Sequence, residues 1–176
     1  MSKKIIGIDC STTTIGITVL DEIGKLLCMT FVKPTGKSFI EKAISAEIQL
    51  KEKLFSQFSF SKNDTVIIEQ PSQMFKTGFS SAKVISTINR FNGIIHYIIY
   101  SNLKIIPIEI ATISARKKVI GIGRFPTGIN AKEKVWEWVD KRMECHDWPL
   151  KKTGKLKDEC FDMTDSYIVA YSQIIV

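Results

Sequence analysis

The sequence predicts a single α/β domain, residues 1–176, built on a mixed sheet that is flanked by helices. Three short apolar and β-branched segments open the chain, and strands then alternate with helical segments along the rest of it. The size agrees with this fold class, because 176 residues with 44% hydrophobic and 24% charged side chains suit one globular domain with a buried core.

Five strands account for the predicted sheet. The first three lie at residues 4–10, 15–20 and 25–32, and the turn between the second and third returns the chain antiparallel. Two later strands are predicted at residues 65–69 and 104–108, each separated from the strand before it by a helix. We therefore expect a mixed five-stranded sheet whose first three strands are antiparallel.

Capping residues mark where several helices begin. Ser38 opens the first helix, with Glu41 three residues later completing a capping box, and the apolar pattern continues to about residue 58. Asn130 caps a later helix. The other helices are predicted at residues 80–101, 114–120 and 158–174.

Four acidic residues stand where a carboxylate is costly. Asp9 and Glu69 each follow an otherwise apolar strand, where a charge loses hydration unless a cation or strong donors meet it. Asp162 and Asp165 are three residues apart on the last helix, so they share a face and repel each other. The pattern predicts that these four carboxylates converge around a divalent cation.

Each acid taken alone also has a simpler interpretation. Asp9 is compatible with capping the turn that begins at Ser11, and Glu69 with an ion pair to a distant Lys or Arg. The pair Asp162 and Asp165 is compatible with an ordinary solvated helix face. These alternatives stay open, although it is less expected that all of the simpler interpretations hold together than that any one of them does.

The residue types indicate hydrolysis assisted by metal ions. Oxygen ligands without His or Cys suit Mg²⁺ or Mn²⁺, and four carboxylates can hold two such ions. In that chemistry one ion activates a water that attacks a phosphodiester, and the other stabilises the leaving oxygen. A Ser-His-Asp or Cys-His system is not expected, because the only histidines are His96 and His146.

Positive charge is concentrated in one part of the chain. Residues 104–157 contain thirteen Lys or Arg and six acids, a surplus equal to the formal net charge of +7 for the whole protein. A one-sided basic region is typical of proteins that bind phosphate backbones, and a basic solvated surface is the alternative interpretation.

The sequence also indicates where in the cell the protein is expected to be. The four cysteines lack the spacing of zinc ligands and are expected to be reduced thiols. We find no apolar run of about 20 residues and no pattern of a cleaved signal peptide, so we expect no membrane association. The expected location is intracellular: the cytoplasm, or an organelle or the nucleus if the source is eukaryotic or viral.

Four segments of the chain form an ordered pattern: a first strand with an Asp, a strand with a Glu, a basic segment, and a closing helix with paired Asp. They are residues 7–16 (GIDCSTTTIG), 68–70 (IEQ), 115–123 (ARKKVIGIG) with 132–135 (KEKV), and 162–170 (DMTDSYIVA). This pattern resembles the RuvC-type Holliday-junction resolvases of the RNase H-like superfamily, and the resemblance covers nearly the full chain.

The resemblance implies an RNase H-like fold and a homodimer that nicks four-way DNA junctions symmetrically. It implies that Asp9, Glu69, Asp162 and Asp165 are catalytic and bind two Mg²⁺ ions, for which Mn²⁺ can substitute. The DNA contacts implied by the resemblance are Arg116, Lys117, Lys118, Lys132 and Lys134, together with Phe75 and Phe79 as candidates for an aromatic wedge. The loop after Glu69 is longer than the family pattern, and residues 124–129 resemble an insertion, which suggests a divergent branch of viral or organellar type.

Three competing functions follow from the same residues. The opening motif also resembles the phosphate loop of sugar kinases and actin-like ATPases, which need a second domain. A second alternative keeps the RNase H-like nuclease but changes its substrate to flaps, RNA–DNA hybrids or other branched DNA. The third is a DNA-binding scaffold without catalysis, against which the presence of all four acids argues.

Overall fold

The computed structural model describes residues 2–71, 82–143 and 146–175. Its sheet contains five strands in the order β3-β2-β1-β4-β5. β1 pairs antiparallel with β2 and β2 with β3, whereas β1 pairs parallel with β4 and β4 with β5. The mixed sheet with three antiparallel opening strands is thereby confirmed. The strands are β1 (Lys4–Cys10), β2 (Ile15–Asp21), β3 (Leu26–Val32), β4 (Thr65–Glu69) and β5 (Ile108–Ile110).

Among the described residues, five α-helices flank this sheet, and two of the predicted caps are confirmed. Ser38 caps the first helix, and the reciprocal bonds between Ser38 and Glu41 complete the capping box. The Asn130 side chain accepts a hydrogen bond from the backbone of Lys132 and caps the fourth helix. The helices are α1 (Phe39–Leu50), continued by a π-helical segment (Lys51–Phe55), α2 (Ala82–Leu103), α3 (Thr112–Ile120), α4 (Ala131–Asp140) and α5 (Glu159–Tyr171).

Each face of the sheet buries its own apolar core. On one face, Ile6 and Ile8 of β1 pack with α1, α2 and the buried ring of Phe91. On the other face, Ile5 packs with α3, α4 and α5, including the buried Val135. The alternation along β1 follows from the two-residue period of a strand, and it places helices on both faces.

α5 lies directly on the backbone of β1 and β2 because glycine occurs at both contacts. A Cβ on Gly7 would lie 2.1 Å from the backbone oxygen of Ser166, and one on Gly16 would lie 2.1 Å from that of Asp162. Beside these contacts the Thr18 and Ser166 hydroxyls form a buried hydrogen bond of 2.8 Å. The close approach fixes how far α5 stands from the strand that carries Asp9.

The last strand differs from its predicted position. The sequence pattern placed it at residues 104–108, but β5 contains Ile108–Ile110, which pair with residues 67–69 of β4. Lys104 adopts a positive φ of 57° directly after α2, and Ile106 is 78% exposed. The prediction was wrong because this apolar run follows the end of a helix, and Pro107 has no N–H for the ladder.

Two further sequence expectations concern cysteines and membranes. Cys10, Cys28 and Cys160 are free thiols, while Cys145 lies outside the described residues. Within the described part of the chain, none of the helices combines the length and the apolar character needed to cross a bilayer.

Candidate active site

Two parallel strands bring the first two acids together. Residues 5–8 of β1 pair in register with residues 65–68 of β4, so the strands end at the same edge of the sheet with Asp9 and Glu69. α5 crosses this edge and adds the buried carboxylate of Asp165. One carboxylate oxygen from each of the three residues lies within 4.8 Å of the other two. Sequence-distant acids therefore converge into a group with the spacing of metal ligands.

Burial and mutual repulsion change the acidity of this group. Burial raises the pKa of Asp9 well above its usual 3.8, and the negative charges of Glu69, Asp165 and Asp162 raise it further. Burial, followed by the charge of Asp165, raises the pKa of Glu69 to about 7. Both shifts favour the protonated forms of Asp9 and Glu69 when no cation is bound, and a bound divalent ion would favour their ionised forms.

The fourth predicted acid lies beside the three. Asp162 is one helical turn before Asp165 on α5 and bonds the side chain of Thr14. Burial raises the pKa of Asp162 to about 6; the positive charge of Lys132 opposes this shift and the negative charge of Asp165 adds to it. Asp162 is thus near the other carboxylates electrostatically but outside the group whose oxygens lie within 4.8 Å of one another.

One face of α3 binds two members of the acidic group. The Thr112 hydroxyl donates a hydrogen bond to Glu69 Oε1, and four residues later Arg116 Nη2 lies 2.7 Å from Asp165 Oδ1. The Arg116 side chain is only 14% exposed. The sequence placed Arg116 among the phosphate contacts and did not identify Thr112, because the first turn of α3 was not predicted to be helical.

The remaining predicted DNA contacts occupy different environments. Lys117 and Lys118 are exposed on α3. Lys132 lies at the start of α4, and its positive charge opposes the rise in the pKa of Asp9 and of Asp162 that burial causes, which places it beside the acids. Lys134 forms an ion pair of 2.7 Å with Glu137. The wedge candidates Phe75 and Phe79 lie outside the described residues.

Two lysines from the other side of the sheet also approach this edge, although the sequence pattern did not single them out. Lys33 forms an ion pair with Glu159 at the first turn of α5. Lys42 Nζ lies 3.2 Å from the backbone oxygen of Thr12, in the loop that follows Asp9. Both lie within residues 33–42, outside the basic region of the sequence, so only the fold brings them to this edge of the sheet.

The donor set fits a hard divalent cation. All three clustered ligands are carboxylates, as Mg²⁺ and Mn²⁺ prefer. Glu69 Oε2 is buried without a hydrogen-bond partner among the described residues, which leaves a charged acceptor available to an ion. Asp9, Glu69 and Asp165 are therefore the residues that would hold a metal, with Asp162 adjacent.

Comparison with solved structures identifies the fold. RuvC of Thermus thermophilus is 16% identical in sequence and superposes with a TM-score of 0.63, covering 96% of this chain and 92% of that protein. A second structure, T. thermophilus RuvC in complex with Holliday junction substrate, is 15% identical and has a TM-score of 0.67, covering 98% of this chain and 93% of that one. This chain has the RuvC fold. The fold expected from the resemblance, RuvC-type within the RNase H-like class, is confirmed.

The RuvC likeness rests on structure rather than on sequence. No protein-family model matches the chain, and no curated protein matches it. At 15–16% identity most side chains differ from those of RuvC, so the fold is shared while individual residue roles must be argued from this chain. The acidic group at the ends of β1 and β4 provides that independent argument.

Proposed function

We propose that this protein is a structure-selective endonuclease that resolves four-way DNA junctions by metal-dependent phosphodiester hydrolysis. The observation that carries the proposal is the group of Asp9, Glu69 and Asp165, whose oxygens lie within 4.8 Å of one another on a RuvC fold. One of the structures that share this fold was solved with a Holliday junction. Such a substrate implies a location inside a cell, organelle or nucleus that contains DNA.

Each acidic residue has a defined part in the proposed reaction. Asp9, Glu69 and Asp165 would hold a Mg²⁺ or Mn²⁺ ion, and Asp162 would complete the ligand set for a second ion. When bound, the two ions supply an activated water and charge stabilisation of the leaving oxygen. Thr112 orients Glu69 through its hydroxyl, and Arg116 holds the Asp165 carboxylate in an ion pair of 2.7 Å.

The basic residues around the acids would hold the DNA backbone. Lys132 is next to the acidic group, and Lys117 and Lys118 are exposed on α3. These positions suit contacts to phosphates, which fix the register of a strand without reading its sequence. Arg116 is already paired with Asp165, so its proposed part is to position that carboxylate for the reaction on DNA.

We further propose that the protein acts as a homodimer through the exposed side of α2. Tyr97 and Tyr100 on this helix are 70% and 47% exposed, and Ile106 and Ile108 beyond its end are 78% and 51% exposed. Tyr97 and Tyr100, three residues apart, share one face of α2, and exposed aromatic side chains are typical of an interface. A two-fold symmetric enzyme would present two acidic groups to a two-fold symmetric junction.

The proposal is tested by nicking assays with Mg²⁺ on a four-way junction, a flap, an RNA–DNA hybrid and a linear duplex. We expect the junction to be cut fastest, and Asp9→Asn or Glu69→Gln to lower the rate by about a thousandfold or more while binding persists. Glu22→Gln is the matched control, because Glu22 lies in the turn after β2, at the opposite end of the sheet.

The outcomes separate the candidate functions. Faster cutting of the flap or the hybrid would favour an RNase H-like nuclease with that other substrate. Undiminished cutting by both variants would refute the assignment of the acids. Junction binding without any cleavage would leave only the scaffold alternative.

A further inference from the structure

A cleft next to the acidic group is not used by the proposed chemistry. It lies between α4 and residues 149–158 and has a volume of about 580 Å³. Its walls combine two aromatic side chains, Trp136 of α4 and Phe161 of α5, with lysines and carboxylates at the rim. The polar lining residues used below are Glu133, Glu137, Lys151, Lys155 and Asp158.

One wall of the cleft is a short hairpin, residues 149–157, that the chain itself holds in place. Leu150 and Leu156 form an antiparallel bridge, and the Lys151 N–H donates to the Lys155 oxygen at 2.7 Å. Gly154, with a φ of 78°, provides the left-handed turn. The base of the hairpin is tied down by the Cys160 thiol, which lies 3.2 Å from the Pro149 oxygen.

The lining of the cleft itself contains three acids, Glu133, Glu137 and Asp158, and two lysines, Lys151 and Lys155. The segments around it are more basic, since residues 130–137 and 149–158 contain six lysines and only these three acids. Two of the acids are already neutralised, since Lys134 pairs with Glu137 at 2.7 Å and Lys151 with Asp158 at 3.0 Å. The exposed lysines of the hairpin that remain are Lys152, Lys155 and Lys157.

The cleft lies next to the acidic group on the protein surface. Phe161 immediately precedes Asp162 on α5, and Lys132 Nζ lies 5.8 Å from the centre of the Phe161 ring. The positive charge of the same lysine also acts on Asp9, where it opposes the rise in pKa that burial causes. A DNA strand with one phosphate at the acids would therefore have a neighbouring nucleotide at the cleft.

We infer that this cleft binds one unpaired nucleotide of the DNA strand held at the acidic group. Its base would stack on the Phe161 and Trp136 rings, and the hairpin lysines would hold its phosphate. The aromatic walls select an unpaired base, because in a duplex the faces of each base are covered by its neighbours in the stack. Glu133 adds an acceptor for the amino group of a base. The inference rests on the proposed function for its substrate, but it concerns a separate part of the surface.

The experiment measures binding without cleavage. Full-length protein in EDTA is titrated into a short single-stranded oligonucleotide with a central 2-aminopurine, and into a labelled duplex of the same sequence. We expect 2-aminopurine fluorescence to be quenched by the wild-type protein. Phe161→Leu should abolish the quenching and weaken single-strand affinity about fivefold or more, whereas Phe161→Tyr, which keeps the ring, should retain both.

The lysines are tested with a matched pair. Lys155→Gln should weaken single-strand binding about twofold to threefold at low salt. Lys62→Gln removes the same charge from the loop before β4, at the far end of the sheet, and should have no effect. Thermal unfolding of every variant checks that the fold is retained.

The inference fails if wild type does not quench 2-aminopurine, if Phe161→Leu binds like wild type, or if duplex and single strand lose affinity equally. It also fails if the two lysine variants behave alike. Junction cleavage by a wild-type protein that does not quench would overturn this inference alone. Quenching without cleavage of any substrate would overturn the proposed nuclease and leave the nucleotide site standing.

Discussion

At the scale of residues, the acidic group depends on two side chains that are not acidic. Thr112 and Arg116 are separated by one turn of α3, and each bonds a different carboxylate. Arg116 offsets the charge of Asp165, and the Thr112 hydroxyl stabilises the ionised form of Glu69 and so lowers its pKa against the effect of burial. The positive charge of Arg116 also lowers the pKa of Glu69 against the effect of burial, so both side chains act on the acidity of that residue.

The hydrogen bond from Thr112 predicts a shift in pH dependence. Burial raises the pKa of Glu69 to about 7, and the Thr112 hydroxyl opposes that shift. Thr112→Val removes the donor, so the pKa of Glu69 rises further and the ionised ligand appears only at higher pH. We expect the midpoint of Mn²⁺ binding, followed by calorimetry across pH 6 to 9, to move upward by about half to one pH unit, which corresponds to about 1 kcal/mol.

The control for this shift is Thr112→Ser, which keeps the hydroxyl and should follow the wild-type pH profile. Superimposable profiles for wild type and Thr112→Val would mean that the hydroxyl does not act on Glu69. A uniform loss of affinity at every pH would indicate a structural effect in place of an electrostatic one.

At the scale of elements, the position of α5 determines whether the acids meet. Gly7 and Gly16 allow the α5 backbone to contact β1 and β2 directly, with Asp162 and Asp165 on the adjoining turns. A helix displaced by the width of a methyl group would separate Asp165 from Asp9 and Glu69. The two glycines are thus part of the site although neither carries a functional group.

Gly16→Ala tests this packing. Its Cβ would lie 2.1 Å from the Asp162 oxygen, so α5 or β2 must move. We expect a loss of about 3 kcal/mol or more in the free energy of unfolding, measured in urea, together with at least tenfold weaker Mn²⁺ binding. Gly93→Ala is the control, because a Cβ there meets no described residue within 4 Å and alanine favours a helix interior by about 0.5–1 kcal/mol. Equal stability of the two variants would contradict the tight contact.

Local signals explain which elements the sequence predicted well. The capping box at Ser38 and Glu41 and the cap at Asn130 are set by neighbouring residues, and both were confirmed. β5 was misplaced because its register depends on pairing with β4, which a local apolar pattern does not encode. The start of α3 at Thr112 was missed for a related reason, since its N-cap, Ala111, makes no side-chain capping bond.

At the scale of the whole molecule, the fold joins residues that the sequence separates by more than 150 positions. The convergence of Asp9, Glu69 and Asp165 was predicted, because buried acids without partners need a common cation. The ion pair between Arg116 and Asp165 was not predicted. A basic segment indicates the sign of the charge on a surface, but it does not indicate which residue each side chain contacts. The positions of Lys33 and Lys42 at the edge of the sheet with the acids were not predicted either, because they follow from the order of the strands.

The proposed dimer leads to a prediction for the whole assembly. Tyr97 is 70% exposed in the single chain, and Tyr97→Glu would bury charges of like sign at a symmetric interface. We expect sedimentation velocity to show at least tenfold weaker self-association. On a cruciform plasmid the wild type should give mainly linear product from paired nicks, whereas Tyr97→Glu should accumulate singly nicked circles.

Ile23→Glu is the matched control for that experiment, because Ile23 is 77% exposed in the turn before β3, away from α2. It should sediment and cut like wild type, since the same change of an exposed apolar residue to Glu is made outside the proposed interface. A wild-type protein that stays monomeric while giving linear product would show that paired nicking needs no dimer. A dimer equally sensitive to both substitutions would place the interface elsewhere, and the exposed tyrosines of α2 would then need another partner.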